Sequence, residues 1–308
     1  MHILAATQFT HAQLDLLFAR AEELRNYTTP SQRKELTELH KGRQLCSLFY
    51  EPSTRTRLSF EAAAIKLGMG VVSTENAREF SSAAKGETIE DTIRVLDEYK
   101  FDIIVLRHHK TGTAAQAAHV SQTPIINAGD GKGEHPTQAL LDAYTIYRQF
   151  GRLDNLHIVM GGDLANGRTV RSLAQLMSSY PNNRITFISV PELQIGEDIK
   201  ATLRKNNTPF KETMDASAAF KTADVVYWTR LQKERLTNPA AIPEARFNIE
   251  PEILNHLPVH AIIMHPLPRV DEISPLVDSD PRAMYFEQAG NGLYIRMALL
   301  DQIITNIL

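Results

Sequence analysis

The sequence predicts an α/β protein with two domains, each a parallel sheet flanked by helices, joined by helical segments. Three observations support this prediction. The chain has 308 residues, more than one compact core usually holds. Short apolar runs alternate with helical patterns, as is typical of parallel strands with crossover helices. The alternation pauses near residue 150 and then starts again, which indicates two units of similar build.

The first half is predicted to open with an amphipathic helix over residues 10–25, with Thr10 as a candidate N-cap. Apolar runs predict strands at residues 45–50, 71–74, 103–106 and 124–127. Helical spacing predicts helices over residues 58–67, 88–99, 112–120 and 136–149. In the helix over 58–67, the apolar positions are Leu58, Ala62, Ile65 and Leu67.

The second half repeats this pattern. Strands are predicted at residues 156–160, 185–190, 224–228 and 261–265, and a helix over 169–179. A final helical run lies within residues 289–308. We therefore expect a first domain over 1–135, a second over 136–288, and a C-terminal helix over 289–308 that packs back on the first domain.

Composition excludes several classes of function. Apolar residues make up 43% and charged residues 22%, as in ordinary globular proteins. The net charge of −3 predicts no nucleic-acid or membrane partner. Cys46 is the only cysteine, so intrachain disulfides and thiolate zinc sites are excluded, and it is expected in the core. The N-terminus does not resemble a secretory signal, and no run approaches the roughly twenty apolar residues of a membrane span, so we expect a cytoplasmic protein.

The first strand leads directly into a group of hydroxyl and cationic residues, Ser53, Thr54, Arg55 and Thr56. Backbone N–H groups at a helix start have no intrahelical partner, and the helix dipole favours an anion there. Two or more hydroxyls and a guanidinium at this place predict a phosphate-binding loop. The alternative is an ordinary N-cap, but a cap needs one hydroxyl and does not account for Arg55 between two threonines.

Other predicted strands are also followed by bases, histidines or hydroxyls. In open α/β sheets, ligands bind beyond the carboxyl ends of the strands, so these residues are expected to share one strongly cationic cleft for multiply anionic ligands. They contain no obvious set of metal ligands. The residues concerned are Arg107, His108, His109, His135, Gln138, Arg168, Arg230, Gln232, and the run from His265 to Arg269.

Three motifs occur in a fixed order along the chain: Ser-Thr-Arg-Thr-Arg at 53–57, His-Pro-Thr-Gln at 135–138 and His-Pro-Leu-Pro-Arg at 265–269. Together they resemble the aspartate/ornithine carbamoyltransferase family, and the resemblance covers essentially the whole chain. Pro266 stands where the ornithine-specific branch usually has cysteine, and Arg168 and Arg230 suit a dicarboxylate. The match is therefore to the aspartate-specific catalytic chains.

The resemblance implies transfer of a carbamoyl group from carbamoyl phosphate to L-aspartate, in pyrimidine biosynthesis, without a metal or other cofactor. It implies a carbamoyl-phosphate-binding first domain and an aspartate-binding second domain. Arg55, Thr56, Lys85, Arg107 and His135 are the implied catalytic residues. The carbamoyl phosphate site is implied to contain Ser53, Thr54, Arg55, Thr56, Ser81, Lys85, Arg107, His135, Gln138, Leu267 and Pro268. The aspartate site is implied to contain Lys85, Arg168, Arg230 and Gln232.

In the family, the segment around Ser81 to Lys85 reaches into the active site of a neighbouring subunit. The resemblance therefore implies a homotrimer with shared active sites, small-molecule substrates, and separate regulatory chains as a further candidate partner. Either Ser81 or Ser82 could make the contact. Two alternative functions stay open: a carbamoyltransferase with another amine acceptor, and an inactive relative that serves as a scaffold.

Overall fold

The computed structural model describes residues 1–131, 133–231 and 248–307. The chain divides into two compact units, one formed by Met1–Leu140 with Gly290–Leu308 and the other by Leu141–Ala289. Each unit contains a parallel sheet with helices packed on it. The predicted fold class, two α/β units with parallel sheets, is confirmed.

The first unit contains a four-stranded sheet in the order β2-β1-β3-β4, with every neighbouring pair parallel. Short 3₁₀ helices lie at Ala6–Gln8 and Ser82–Lys85. The elements are α1 (His11–Arg25), α2 (Pro30–Glu38), β1 (Gln44–Phe49), α3 (Thr54–Lys66), β2 (Gly70–Thr74), α4 (Ala77–Phe80), α5 (Ile89–Glu98), β3 (Ile103–His108), α6 (Thr113–Val120), β4 (Ile125–Asp130) and the start of α7 (Pro136–Phe150).

The second unit contains a five-stranded parallel sheet in the order β7-β6-β5-β8-β9. Its elements are β5 (His157–Gly161), α8 (Arg168–Ser178), β6 (Arg184–Ile188), α9 (Glu197–Lys205), β7 (Phe210–Thr213), α10 (Ala216–Phe220), β8 (Val225–Trp228), α11 (Pro251–Leu254), β9 (Ile262–Met264) and the start of α12 (Tyr285–Ile304). The strand β7 and the helix α2 of the first unit have no counterpart among the named sequence predictions.

Side-chain capping explains where several helices begin. The Thr10 hydroxyl accepts the Gln13 backbone N–H, and the Gln13 side chain accepts the Thr10 N–H in return. The same reciprocal pair starts α2 at Thr29 and Gln32. The predicted first helix and its Thr10 cap are confirmed.

Each sheet carries its own apolar core. In the first unit Cys46 lies in a buried cluster with Leu48, Ile104 and Leu106, and it is 5% exposed. Desolvation raises the pKa of the Cys46 thiol to about 12, so it remains protonated and acts as a small apolar residue. In the second unit Trp228 packs in a buried cluster with Phe220.

The C-terminal part of α12 belongs to the first unit and is fixed there by a buried carboxylate. Asp301 accepts from Arg20 Nε at 2.7 Å and lies 2.7 Å from His40 Nε2. These contacts lower the pKa of Asp301 although burial alone would raise it. The two contacts of Asp301 thus tie α1 and the segment before β1 to the last helix.

Helix α3 starts four residues before the apolar pattern predicts, and it buries a different face. Its buried residues are Thr56, Phe60, Ala63 and Ala64, whereas Leu58 and Ile65 are 50% and 61% exposed. The predicted strand ends also change: β3 includes Arg107 and His108, and β4 continues to Asp130. Within the described ranges, no helix combines the length and hydropathy needed to cross a membrane.

Candidate active site

The first sheet brings three of the predicted groups to one edge. Strands β1 and β3 are neighbours, although β2 lies between them in the chain. The order of the strands therefore reverses between β1 and β3, while all strands stay parallel. Ligands of such sheets bind beyond the carboxyl ends at the reversal. The residues after β1, at the end of β3 and after β4 therefore lie along the same edge.

The start of α3 forms the first part of this edge. Ser53 is the N-cap residue, but its side chain makes no capping hydrogen bond. The first backbone hydrogen bond of the helix runs from the Arg57 N–H to the Ser53 carbonyl, at 3.0 Å. The N–H groups of the three residues between them have no acceptor within the helix and are suited to an anion. This geometry favours the phosphate-binding interpretation over the N-cap alternative.

The two arginines of the motif differ in their surroundings. Arg55 is exposed, and partial desolvation lowers the pKa of its guanidinium, which stays protonated at neutral pH. Arg57 instead pairs with Glu61 at 3.4 Å and with Glu75 at 2.8 Å. Thr56 is 7% exposed and points away from bulk solvent. Arg57 therefore holds α3 against β2 and the segment after it, and Arg55 is available to a ligand.

Arg107 lies at the reversal point itself. Its partner across the sheet is Phe49, the last residue of β1. The side chain is almost buried, its NH1 donates to the Ala128 carbonyl at 3.1 Å, and its NH2 lies 3.4 Å from Glu51 Oε1. Glu51 was not singled out from the sequence, and its place two residues after β1 is the feature that could have identified it. The pair fixes the guanidinium at the carboxyl edge.

His135 and Gln138 lie at the start of α7, after β4. His135 is 4% exposed, and its carbonyl accepts the Gln138 N–H at 3.0 Å. The loop before them is shaped by Asp130, whose two carboxylate oxygens accept the N–H groups of Gly112 and Glu134, each at 2.9 Å. This loop was predicted to begin after residue 127, but its first residues belong to β4.

The segment after β2 also leaves the same edge of the sheet. It contains α4 and a 3₁₀ helix over Ser82–Lys85. The Ser81 hydroxyl donates to the Ala77 carbonyl, and Lys85 is exposed. The choice between Ser81 and Ser82 as a substrate contact stays a prediction.

The paired histidines at the end of β3 act in packing. The His108 ring lies 4.8 Å from the Tyr50 ring and stacks on His109 at 4.3 Å, centroid to centroid. Its Nδ1 accepts the Lys110 N–H at 3.0 Å. Burial, with the nearby charges of His109 and Lys110, lowers the pKa of His108 to about 4. Among residues 1–131, 133–231 and 248–307, no three His, Cys, Asp or Glu side chains group to hold a metal ion.

The second sheet has its reversal point between β5 and β8, where Gly161 pairs with Trp228. A Cβ atom on Gly161 would come within 2.2 Å of the Trp228 ring. Gly162 has a φ of +96°, and a Cβ there would lie 2.1 Å from the Thr229 carbonyl oxygen. The Thr229 N–H also donates to the Gly161 carbonyl at 3.0 Å. Glycine is therefore required at both positions for the two strand ends to approach.

Two candidate aspartate ligands flank this reversal point. Arg168 is the first residue of α8, which follows β5, and Arg230 is the second residue after β8; both are partly buried. Nearby Asp163 is fully buried, and its Oδ1 accepts the Asn166 N–H at 2.9 Å. The third predicted ligand, Gln232, lies outside the described residues.

The His-Pro-Leu-Pro motif follows β9, the neighbour of β8. Leu267 has a left-handed φ of +53°, and the Leu267–Pro268 peptide bond is cis. His265 contacts Glu272 and Gln288, and Gln288 contacts Asp142, so a buried polar network lies behind the loop. Gln288 and Asp142 lie far from His265 in the sequence, and Glu272 lies in the irregular segment just after the motif, so no helical or strand spacing identifies these residues.

Comparison with known proteins identifies the family. Residues 1–148 match the family profile "Aspartate/ornithine carbamoyltransferase, carbamoyl-P binding domain", and residues 154–303 match "Aspartate/ornithine carbamoyltransferase, Asp/Orn binding domain". The chain is 50% identical over 307 residues to the chloroplastic aspartate carbamoyltransferase of Oryza sativa subsp. japonica, covering 98% of this chain and 84% of the relative. It is 43% identical over 305 residues to the aspartate carbamoyltransferase catalytic subunit of Clostridium kluyveri, covering 98% and 97%.

Solved structures agree. The catalytic subunit of M. jannaschii aspartate transcarbamoylase superposes with a TM-score of 0.90 at 42% identity, over 99% of this chain and 98% of the other. The Trypanosoma cruzi aspartate transcarbamoylase in complex with N-(phosphonacetyl)-L-aspartic acid gives 0.90 at 39% identity, over 97% and 94%. Coverage is nearly complete at these identities, and both family profiles match. The chain therefore belongs to the aspartate/ornithine carbamoyltransferase family, among the catalytic chains of its aspartate-specific branch.

Proposed function

We propose that this chain transfers the carbamoyl group of carbamoyl phosphate to the amino group of L-aspartate, giving N-carbamoyl-L-aspartate and phosphate for pyrimidine biosynthesis. The observation that carries the proposal is the carboxyl edge of the first sheet. There, a helix start with an exposed arginine lies along the same edge as a buried, oriented arginine. This is the arrangement that a phosphorylated, carbonyl-containing substrate needs.

We assign the phosphate group to Ser53, Thr54, Arg55 and Thr56. Thr56, Arg107 and His135 would surround the carbonyl oxygen, and Gln138 would contact the carbamoyl amide. The contacts that support these roles are the Arg107 pairing with Glu51, which holds the guanidinium in one orientation, and the burial of His135. Held donors stabilise charge that develops during a reaction, because they need no reorganisation at that moment.

We assign aspartate to the second unit. Arg168 would bind the α-carboxylate, and Arg230, with Gln232, the side-chain carboxylate. An arginine fork matches a carboxylate in geometry and charge, so two arginines near one reversal point select a dicarboxylate over an amine side chain. The carbonyl oxygens of Leu267 and Pro268 would accept from the amino groups of the substrates.

The chemistry then needs positioned groups more than an enzyme nucleophile. The aspartate amine attacks the carbonyl carbon, and negative charge collects on the carbonyl oxygen near Thr56, Arg107 and His135. The C–O bond to phosphate breaks, and phosphate leaves with the bonding pair. The amine proton passes to the departing phosphate. Positioning of two substrates and stabilisation of charge supply the rate enhancement.

We further propose a homotrimer in which Ser81 and Lys85 complete the site of a neighbouring subunit. Leu58 and Ile65 are exposed apolar side chains on α3, at 50% and 61% exposure, and Val72 on the edge strand β2 is 54% exposed. Exposed apolar side chains on a helix and on an edge strand support burial against a second copy of the chain. Mixing Arg55→Ala chains with Lys85→Ala chains should restore activity, because a mixed trimer can contain one unmutated shared site. Trimers that are shown to be mixed but remain inactive would contradict shared sites.

We propose a cytoplasmic location, which is supported by the bacterial relatives named catalytic subunits. The plant relatives are named chloroplastic. Cell fractionation distinguishes the two locations. Native mass spectrometry distinguishes a trimer of this chain from a larger assembly with regulatory chains.

The function is tested by an assay for the ureido product with carbamoyl phosphate and either aspartate or ornithine. We expect turnover with aspartate and none with ornithine. Arg168 and Arg230 would bind the two carboxylates of aspartate and repel the positively charged side chain of ornithine. Turnover with ornithine alone would assign another amine acceptor. Absence of turnover with both, by a folded trimer, would support the inactive scaffold instead.

A further inference from the structure

Glu272 contacts the ring of His265 in the interior of the second unit. His265 Nε2 lies 2.8 Å from Glu272 Oε1, and the two side chains are 1% and 3% exposed. The other carboxylate oxygen, Oε2, accepts the backbone N–H groups of Val270 and Asp271 at 3.1 and 3.2 Å. The carboxylate is therefore fixed against the imidazole by its own neighbours in the chain.

The second ring nitrogen of His265 accepts a backbone hydrogen bond. The Leu267 N–H donates to Nδ1 at 2.8 Å. A ring nitrogen that accepts a hydrogen bond carries no proton, so the proton of the neutral imidazole must be on Nε2, the atom that faces Glu272. The hydrogen bond at Nδ1 thus assigns one tautomer, and the negative charge of the carboxylate, 2.8 Å from Nε2, stabilises that tautomer.

The backbone around His265 is held from the other side as well. Its N–H donates to Gln288 Oε1 at 2.8 Å, and Gln288 Nε2 donates to Asp142 Oδ1 at 2.6 Å. Leu267, at a φ of +53°, has a conformation that residues other than glycine rarely adopt. The hydrogen bond from its N–H to the ring is a specific contact that holds this conformation.

We propose that Glu272 is a positioning residue for carbamoyl phosphate. It holds His265 in the Nε2–H tautomer, and His265 then orients the carbonyl groups of Leu267 and Pro268 toward the carbamoyl amide. This inference rests on the proposed function. Without the carboxylate, the ring proton can move to Nδ1, where it would face the Leu267 N–H, and two donors repel each other. The loop would then lose its anchor.

Two small probes separate this role from general damage to the fold. Phosphonoacetamide carries an amide whose N–H groups the loop carbonyls would accept, and inorganic phosphate carries none. Calorimetry should show that Glu272→Ala weakens phosphonoacetamide binding by about tenfold or more, since buried hydrogen bonds are lost, and changes phosphate binding less than about twofold. Glu272→Gln should keep most of the affinity, because its amide oxygen can accept from Nε2. Equal weakening of both probes, or of neither, would overturn the proposal.

The matched control is Glu212→Ala, which removes a partly buried glutamate paired with Lys200 at 2.6 Å in the same unit. It should leave both affinities unchanged. If the wild-type protein binds neither probe, the proposed function is wrong and the inference fails with it. If the wild-type protein binds both and Glu272→Ala does not separate them, only the inference is wrong.

A second pair of variants decides the question if Glu272→Ala does not fold. Asparagine at position 265 can accept the Leu267 N–H through its side-chain oxygen, as in an Asx turn, and has no tautomer to select. His265→Asn should therefore keep the preference for phosphonoacetamide over phosphate, and His265→Leu should lose it. Equal behaviour of these two variants would contradict the role of the ring. In the His265→Asn background, Glu272→Gln should have no further effect.

Discussion

The strand order reverses once in each of the two sheets, yet the carboxyl edges at these reversal points are built from different interactions. The first edge uses charge: a helix start, the exposed Arg55 and the buried Arg107 paired with Glu51. The second edge uses close backbone approach at Gly161, with a buried polar network behind the His265 loop. Both edges offer arginines to an anion, Arg168 and Arg230 in the second, but the second edge depends in addition on exact backbone placement.

This difference teaches where each edge is vulnerable. Removing a charge from the first edge should lower activity with little change in folding, because its ligand groups are exposed or separately paired. Adding or removing a few atoms at Gly161 or in the buried polar network of the second edge should change the free energy of unfolding as well, because these groups are packed into the core.

The largest expected effect is that of Arg55→Ala on turnover. The loss of a charge-assisted contact to the phosphate should lower kcat/KM by about a thousandfold, with the oligomer unchanged. Steady-state kinetics and native mass measure both quantities. The control is Arg57→Ala in the same motif, which removes ion pairs to Glu61 and Glu75 and should lower the melting temperature more than the turnover. Similar losses of turnover in the two variants would remove the distinction between the arginines.

Arg168→Ala should act on the second substrate alone. We expect the KM for aspartate to rise by about a hundredfold, with the KM for carbamoyl phosphate nearly unchanged, because one bidentate carboxylate contact is lost. Arg171 lies on the same helix but pairs with Asp198, so Arg171→Ala is the matched control and should leave both constants near wild type. A rise in both KM values for Arg168→Ala would contradict the assignment of aspartate to this edge.

Gly161→Ala tests the close approach in the second edge. The new methyl group would meet the Trp228 ring, and the overpacking should lower the free energy of unfolding by about 2 kcal/mol. Chemical denaturation measures the change. At Gly290, in a helix, an added Cβ meets nothing within 4 Å, so Gly290→Ala should be neutral or slightly stabilising. Unchanged stability of Gly161→Ala would show that the strand ends can separate without cost.

The effect that appears only in acid concerns His108 at the first edge. Burial lowers the pKa of His108 to about 4, from 6.5 in the unfolded chain. The unfolded state therefore binds more protons between these values, and stability should fall as the pH drops from about 6.5 to about 4, by up to about 3 kcal/mol. His108→Asn should flatten this part of the stability profile measured by urea denaturation. An unchanged slope would show that the pKa of His108 is the same in the folded and the unfolded protein.

The first edge could be predicted from sequence because each of its groups lies beside the end of a predicted strand. Ser53 to Thr56 follow β1, and Arg107 lies near the end of β3, so the parallel arrangement of the strands brings these groups to one edge. The apolar spacing predicts that α3 starts at Leu58, whereas the helix starts at Thr54. The spacing is misleading because Leu58 and Ile65 fit a helical period although both are exposed. Periodicity reports apolar spacing, and it cannot tell a core face from an exposed apolar face.

The second edge could be predicted only in part. Arg168 and Arg230 follow strands and were found for that reason. Gln288 and Asp142 act on the His265 loop through buried hydrogen bonds between distant parts of the chain, and Glu272 contacts the His265 ring from an irregular segment; no helical or strand spacing reveals such contacts. Arg57 belongs to the same motif as Arg55, and only the structure shows that its side chain pairs with two glutamates.

The most direct test is calorimetric binding of N-(phosphonacetyl)-L-aspartate to the wild-type protein, Arg55→Ala and Arg168→Ala. This compound carries a phosphonate and a dicarboxylate in one molecule. The account predicts tight binding by the wild type and a loss of affinity of about a hundredfold or more in each variant, because each charged end loses its own arginine. Unchanged affinity in either variant would contradict the assignment of phosphate to the first unit and aspartate to the second.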